Sequence, residues 1–329
     1  MKEHSAKLSI LKYLSNGEFH SGEDLGERLG ISRAAVSKHI KGIQGWGVDV
    51  FSVQRKGYRL AAPMQLLDQQ QLSELVSVPV ELISVIDSTN QYLLDRADSL
   101  SSGQVCIAEY QEKGRGRRGR EWVSPFGSNL YMSMYWRLDA GMAAAMGLSL
   151  VVGVAIVEAL EKMGVEGVRL KWPNDLYFED RKLAGILVEM SGQAGAAANL
   201  VIGMGMNLMM QNNQQSATQG NILQGITQPW ASLTEAFGTD LIDRNKLTAM
   251  LINTLDSALR EYEDCGMTGF VSRWNRLDNF IGREVRLIMG NKEIKGIAQG
   301  INEQGAVLIE TYQGLESYIG GEISLRPSV

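Results

Sequence analysis

Residues 114–120 read Gly-Arg-Gly-Arg-Arg-Gly-Arg, and chemistry first becomes visible there. Three glycines let a backbone turn sharply and present its N–H groups, while four arginines supply fixed positive charge. Together they describe a loop that binds an anion and stabilises charge developing on a phosphate. It is not a Walker loop, because no Gly-x4-Gly-Lys-Ser/Thr accompanies it. Taken alone, the string is equally a basic loop that adheres to RNA. Further on, Arg169-Leu170-Lys171-Trp172-Pro173-Asn174-Asp175-Leu176 reads as a strand ending in a Pro-Asn-Asp turn. Lys182 then heads the run Leu183-Ala184-Gly185-Ile186-Leu187-Val188-Glu189, in which Gly185 would let a ligand approach the backbone. By itself that lysine is also an ordinary solvated charge at a strand start. Gly203-Met204-Gly205-Met206-Asn207 ends another strand, without the third glycine of a dinucleotide-binding turn.

What is missing narrows the reaction. All three histidines, His4, His20 and His39, lie near the N-terminus, and residues 64–329 contain none. A Ser–His or Cys–His nucleophile pair, a histidine metal site and an imidazole base are thereby excluded from most of the chain. A reaction run by positioning and cationic charge remains. Attack of a carboxylate on the α-phosphate of ATP fits, since the nucleophile is already ionised and the departing pyrophosphate requires Arg, Lys and a divalent metal.

The elements that must hold these residues fall into three modules. A length of 329 suggests two or three domains, and 44% hydrophobic with 21% charged residues excludes wholesale disorder. The net charge of −5 argues against a nucleic-acid binder until it is divided along the chain. Residues 1–63 carry ten Lys and Arg against six Asp and Glu, +4, which leaves −9 for the rest. Cys106 and Cys265 belong to no paired motif, which suits a reducing cytoplasm and offers no zinc site. No signal peptide is apparent. Ala140–Val157 lacks charge for 18 residues, but its Ala, Gly and Ser content reads as a buried helix rather than a membrane span.

In the first module, Leu8, Leu11 and Leu14 mark an apolar face. Ser21 with Asp24 reads as a capping box opening a short helix that Gly30 closes. Ser32 caps a third helix with Val36, Ile40 and Ile43 inward, and Val48–Val53 and Tyr58–Leu60 flank a basic turn. This is a winged helix-turn-helix ending near Pro63. Residues 64–276 alternate strands (Glu81–Ile86, Gln104–Tyr110, Asn129–Trp136, Val168–Trp172, Leu183–Met190, Asn199–Asn207) with helices over 142–163 and 244–263. Gln211–Asn221 is a Gln/Asn-rich surface loop. From 277 onward, short strands at Val285–Ile288, Glu293–Ile301, Ala306–Glu310 and Tyr318–Leu325 predict a small β-barrel.

Taken in order and spacing, Ser88-Thr89-Asn90, Gln111 ahead of the arginine loop, KWPNDL, RKLAGILVE, the Gly203–Asn207 string and Gly320-Gly321-Glu322-Ile323-Ser324-Leu325 resemble the biotin–protein ligases. With the winged helix ahead of them, the resemblance is to the bifunctional bacterial type that also represses the biotin operon, and it covers essentially the whole chain. It implies an α+β multidomain protein: a winged helix-turn-helix over 1–63, a mixed-sheet α/β ligase domain related to class II synthetases and lipoate ligases over 64–276, and an SH3-like β-barrel over 277–329. It further implies that biotin and MgATP give biotinyl-5′-AMP, and that biotin then passes to one lysine of the biotin carboxyl carrier protein of acetyl-CoA carboxylase.

By the same resemblance, Ser88, Thr89, Asn90 and Gln111 contact the biotin rings, with Gly185, Gly203 and Gly205 also at biotin. Arg115, Gly116 and Arg117 lie over its tail and phosphate, and Lys182 reaches the carboxylate and the α-phosphate. Gly114, Arg118, Arg120, Trp122, Asn174 and Asn207 belong to the ATP and adenylate side, Trp122 covering the adenine. Asp175 orients or deprotonates the acceptor lysine, and no metal site is made by protein ligands alone. Ser21, Ser32, Arg33, Ala34, Ser37, Lys38, His39 and Lys41 with Arg55, Lys56 and Arg59 of the wing are expected at operator DNA, bound by an adenylate-induced homodimer. Two other readings are a biotin sensor without ligase turnover and a lipoate-type ligase.

Overall fold

The computed structural model describes residues 4–145, 147–192, 197–210, 225–238, 242–289, 292–319 and 323–327. The Gln/Asn-rich stretch 211–221 lies outside the described residues, as do Gly290-Asn291 and Gly320-Gly321-Glu322. Three helices open the chain: α1 (Ser5–Leu14), α2 (Gly22–Leu29) and α3 (Arg33–Gln44). Ser21 and Ser32 each accept a hydrogen bond from a backbone N–H three residues on, from Asp24 and Ala35, and so satisfy donors that the first turns of α2 and α3 leave open. Gly30 closes α2 in the left-handed region. Val36, Ile40 and Ile43 face a core shared with Ile10, Leu11, Leu14 and Leu25. The wing is the antiparallel pair β1 (Val50–Val53) and β2 (Gly57–Leu60). Val48, expected in the wing, is instead buried in the module's core.

This module is fastened to the next at two places. Trp46 stacks on Phe126 with ring centroids 5.4 Å apart and meets Tyr110 at 5.6 Å, while its carbonyl accepts from the Phe126 N–H. The connecting residues 65–68 are tied down through the start of the helix Arg244–Cys265. Arg244, fully buried, donates to the Glu109 carboxylate (2.7 Å), to the Gln65 carbonyl (2.7 Å) and to the Asn129 carbonyl (2.9 Å). Glu109 in turn accepts from the Leu67 N–H at 2.6 Å, and Asn245 accepts from the Asp68 N–H at 2.9 Å.

The central sheet has seven strands in the order β3-β4-β5-β9-β8-β7-β6, with only β3 and β4 parallel. They span Val80–Ile86, Val105–Gln111, Asn129–Leu138, Val168–Lys171, Asp175–Phe178, Arg181–Ser191 and Ala198–Asn207 for β3 to β9. Alternation assigns their faces. Leu130, Met132 and Met134 of β5, Ala184 and Ile186 of β8, and Leu200, Ile202, Met204 and Met206 of β9 face the main core under the helices. Ser133, Gly185, Leu187, Gly203 and Gly205 therefore share the opposite face. The apolar stretch at 140–157 is largely α6 (Leu148–Lys162), almost wholly buried, and among the described residues no helix is long and apolar enough to cross a membrane. The helix expected from 142 begins only at Leu148, because Gly147 takes φ +86 and separates α6 from a short 3-10 turn over Met142–Ala145. Along Arg244–Cys265, Leu247, Leu251, Leu255, Leu259 and Tyr262 are all buried as expected.

Several elements depart from the sequence expectation. Thr89–Leu94 (α5) and Gln69–Leu75 (α4) are helices too short or too polar for periodicity to mark, whereas the unexpected helix Thr268–Leu277 does carry a signal, with Phe270, Trp274 and Leu277 at helical spacing and buried. Asp175 does not end a turn but starts β7, which pairs back on β6 through Lys171 and Asp175. In the C-terminal module β10 (Glu284–Met289), β11 (Lys292–Ile301), β12 (Val307–Thr311), β13 (Gly314–Tyr318) and β14 (Ile323–Pro327) form an antiparallel sheet in the order β13-β12-β11-β10-β14. Tyr318–Leu325 is thus parts of two strands rather than one. This sheet shares the main core through Val285, Leu287, Ala298 and Ile301, and Trp172 donates its indole N–H to the Gly305 carbonyl at 3.0 Å.

Arg244→Met leaves Glu109 charged and dry, a loss of about 3–5 kcal/mol, measurable by urea unfolding. Just after the helix Thr268–Leu277, burial pushes the Asp278 carboxyl up to about 6, against the pull of the Phe280 N–H. A carboxyl raised in the folded state binds its proton more tightly there than when unfolded, so its unfavourable contribution is present above pH 6 and fades as pH falls from 6 towards 4. Asp278→Asn is therefore expected to stabilise at pH 7.5, by at most about 3 kcal/mol, and to have little effect near pH 4.

Candidate functional site

A cleft of about 160 Å³ opens on the face of the sheet away from α6. Its floor is glycine: Gly185 and Gly205 stand opposite each other on β8 and β9, and Leu187 pairs with Gly203. A Cβ on Gly205 would lie 2.4 Å from Trp122 Cε2, one on Gly185 3.1 Å from Trp122 Cζ3, and one on Gly203 would overlap the Asn90 carboxamide oxygen. The glycines expected at the ligand thus first make room for the protein's own side chains, the Trp122 indole and the Asn90 carboxamide.

One end of the cleft is a hydrogen-bonded polar cluster. Ser88 caps α5, which places Thr89 and Asn90 in its first turn. Gln111 Oε1, at the end of β4, accepts from the Thr89 N–H at 3.0 Å and from the Thr89 hydroxyl at 3.2 Å. The fully buried Ser133 hydroxyl reaches Asn90 Oδ1 at 2.5 Å and Thr89 Oγ1 at 2.7 Å. Asn90 Nδ2 donates to Glu189 at 2.8 Å. Sequence reasoning missed Ser133 and Glu189, although a lone serine among Leu130–Trp136 was a usable signal, since a buried hydroxyl requires a partner.

The other end is cationic. The arginine loop closes on itself as a narrow hairpin: the Trp122 N–H donates to the Gly114 carbonyl at 2.9 Å, the Gly116 N–H to the Arg120 carbonyl at 2.7 Å, and Arg118 and Gly119 turn its tip at φ 61 and 69. Arg117 donates to Asn174 Oδ1 at 3.0 Å, and Asn174 is fixed in turn by the Ile186 backbone. Burial lowers the Arg117 guanidinium from its usual range, and neighbouring Arg118 and Arg120 add to this while Asp175 opposes it. Lys182 and Asp175, both mostly buried, form an ion pair at 2.8 Å, with the Lys182 ammonium 5.6 Å from the centre of a Trp122 ring.

The cleft brings together every residue expected at biotin or the adenylate except Gly114 and Asn207. Gly114 sits at the base of the hairpin, where a Cβ would lie 2.5 Å from the Trp122 carbonyl. Asn207 is buried and donates to the Lys182 and Ala231 carbonyls at 3.4 and 3.1 Å, so it braces the Lys182 backbone. It also lines an adjoining cavity of about 1120 Å³ that reaches Gly45 and Phe280 from the flanking modules. Lys171, unassigned by the sequence, lies between the two spaces with its ammonium 2.9 Å from the Tyr177 hydroxyl.

The expected DNA residues divide by role. Ser21 and Ser32 use their hydroxyls as helix caps. Ala34, Lys38 and Lys41 recur at helical spacing on the exposed face of α3, with Arg33 at its start ion-paired to Glu23 at 3.1 Å, and Ser37 and His39 half-buried. Arg55 and Lys56 are exposed at the wing tip, and Arg59 packs over the Phe19 ring.

Comparison with known proteins supplies the remaining observations. A model described as Biotin/lipoate A/B protein ligase family matches residues 82–207, an HTH domain model 7–59, and a Biotin protein ligase C terminal domain model 280–326. The Bifunctional ligase/repressor BirA of Escherichia coli is 55% identical over 327 residues, 99% of both chains, and its Bacillus subtilis counterpart is 30% identical over 94% of this chain and 95% of that one. Among solved structures, the Aquifex aeolicus biotin protein ligase in complex with biotin and ATP superposes with a TM-score of 0.63 at 29% identity, covering 76% of this chain and 99% of that one.

The glycine floor makes a direct prediction. Gly205→Ala forces the Trp122 indole off β9, an overpacking cost of about 1–3 kcal/mol. It should appear as a lowered urea midpoint; an unchanged midpoint would mean that the indole is not held there.

Proposed function

We propose how the cleft works in a chain that belongs to the family of bifunctional biotin–protein ligases and biotin-operon repressors. The chain activates biotin with ATP to biotinyl-5′-AMP and pyrophosphate, transfers biotin to a lysine of the biotin carboxyl carrier protein, and represses transcription through its helix-turn-helix module. The observation that carries the site assignment is the convergence of the Lys182–Asp175 pair and the arginine hairpin over one glycine floor.

In this reading the biotin rings occupy the polar end, where Ser88, Thr89, Asn90 and Gln111 present donors and acceptors that are already oriented. Preorganised groups lose little freedom when a ligand binds. The biotin carboxylate then points at the cationic end. Arg115, Gly116 and Arg117 cover the tail and the α-phosphate, and Lys182 bridges carboxylate and phosphate, so that two anions are brought within bonding distance. Attack on the α-phosphate releases pyrophosphate, whose growing charge falls to Arg118 and Arg120. Trp122 covers the adenine, while Asn174 and Asn207 keep Arg117 and Lys182 in place. Magnesium enters with the ATP substrate, carried on its phosphates. Asp175 is the carboxylate that receives the acceptor lysine and takes its proton as the amine attacks the acyl carbon of the mixed anhydride, the amide bond forming as the acyl–oxygen bond breaks and AMP leaves.

The same reading divides the chain at 63/64 and 276/277, places it in the cytoplasm, and makes the adenylate a corepressor: the bound intermediate promotes a homodimer that presents two copies of α3 and the wing to a two-fold operator. Purified protein supplied with biotin, MgATP and pyrophosphatase should release pyrophosphate only when biotin is present, and should label a carrier domain. Biotin-independent release, or none, would contradict the ligase site. In gel shifts on operator DNA with biotin and ATP, Lys38→Ala should weaken binding and lower the salt slope by about 1, with pyrophosphate release unchanged.

A further inference from the structure

We infer that Glu189 is a positioning residue for adenylate formation, linking the biotin-ring end of the cleft to the arginine hairpin. This rests on the site reading above and extends it to a residue which that reading leaves without a task. Glu189 follows Gly185 and Leu187 on the site face of β8, four residues along from the centre of the glycine floor. One of its oxygens, Oε2, accepts from two directions: from Asn90 Nδ2 at 2.8 Å and from Arg115 Nη2 at 2.9 Å. Arg115 makes its other described side-chain bond to Gln91 Oε1 at 2.8 Å, on the helix that carries Asn90. The first arginine of the hairpin is therefore held by the same helix and the same carboxylate that hold the biotin-ring amide.

The Arg115 and Glu189 side chains are 37% and 28% exposed, and an isolated ion pair at that exposure contributes little to stability. Its effect is on geometry. Arg115 is a long side chain with many rotamers, and fixing it before substrate arrives removes an ordering cost from the step in which it must meet the new phosphate. Asn90 is set by Ser133 on one side and Glu189 on the other, so its carboxamide has one orientation. A change at Glu189 thus reaches both ends of the substrate without Glu189 touching it.

The side-chain chemistry separates the two contacts. Glu189→Gln keeps an acceptor for Asn90 and loses the charge that holds Arg115; Glu189→Ala loses both. In single-turnover assays, Glu189→Gln should bind biotin within about 2-fold of wild type yet form biotinyl-5′-AMP about 10-fold more slowly, while Glu189→Ala should also weaken biotin binding about 10-fold. Arg115→Met should be at least as slow, and the double variant Arg115→Met/Glu189→Gln no slower than Arg115→Met alone, because the second change removes nothing further. Glu189→Gln is nearly isosteric and carries the test should Glu189→Ala fail to fold. A normal rate in Glu189→Gln beside a slow Arg115→Met, or additive losses in the double variant, would overturn the role of Glu189. A normal rate in Arg115→Met would overturn the reading of the arginine hairpin, and this one with it.

Discussion

The rest of the site depends on the pairing of β8 with β9, which puts Gly185 opposite Gly205 and Leu187 opposite Gly203. Side chains on a strand alternate between faces, so this register sends Ala184, Ile186, Met204 and Met206 into the core and leaves backbone on the other side. A slip of one residue would exchange the two sets, setting methionines in the cleft and glycines against α6. The bare floor is what allows an indole and a carboxamide to lie close against the sheet. Lys182 and Glu189 stand at the two ends of the same strand, which fixes the distance between the cationic and polar ends.

Charge placement follows from that frame. The body of the chain is acidic, yet Arg115, Arg117, Arg118 and Arg120 crowd into one hairpin, where narrow cross-bonding holds them over the floor. A reaction between two anions needs this local reversal, and it needs no imidazole, which agrees with the absence of histidine after residue 63. Lys182 is held by Asp175 from the start of β7, and Asp175 is in place because Lys171 and Asp175 pair across a tight turn that also carries Trp172 to the C-terminal sheet. The site is therefore braced from the neighbouring module as well as from its own sheet. Trp46 and the Arg244–Glu109 joint do the same on the DNA side.

The sequence showed the parts with strong local signals. Capping serines, the inward face of α3, the long helix at 244 and six of the seven central strands follow from periodicity and end signals, and nearly all of the cleft's residues were marked by unusual strings. The missed elements have physical reasons. Helix α5 is six residues, below the length at which periodicity can be read, and β7 has four residues immediately after a Pro-Asn turn. Glu189 looks ordinary in the sequence because its partners lie 74 or more residues away, while Ser133, with partners 43 or more away, shows only as a polar residue in an apolar strand. The glycines stand out in the sequence, but what fills the space above them is set by tertiary packing. Asn207, expected on the adenylate side, donates to the Lys182 carbonyl and lines the adjoining cavity, contacts that residue type cannot foretell.

We propose that one cleft, floored by Gly185, Gly203 and Gly205, is where the adenylate is made and held. A crystal structure of the chain with biotinyl-5′-AMP tests it most directly. The biotin rings should lie among Ser88, Thr89, Asn90 and Gln111, the phosphate between Lys182 and the 115–117 segment, and the Trp122 indole against the adenine. An adenylate bound in the adjoining cavity, with Lys182 still on Asp175 and the arginine hairpin remote from the phosphate, would contradict it.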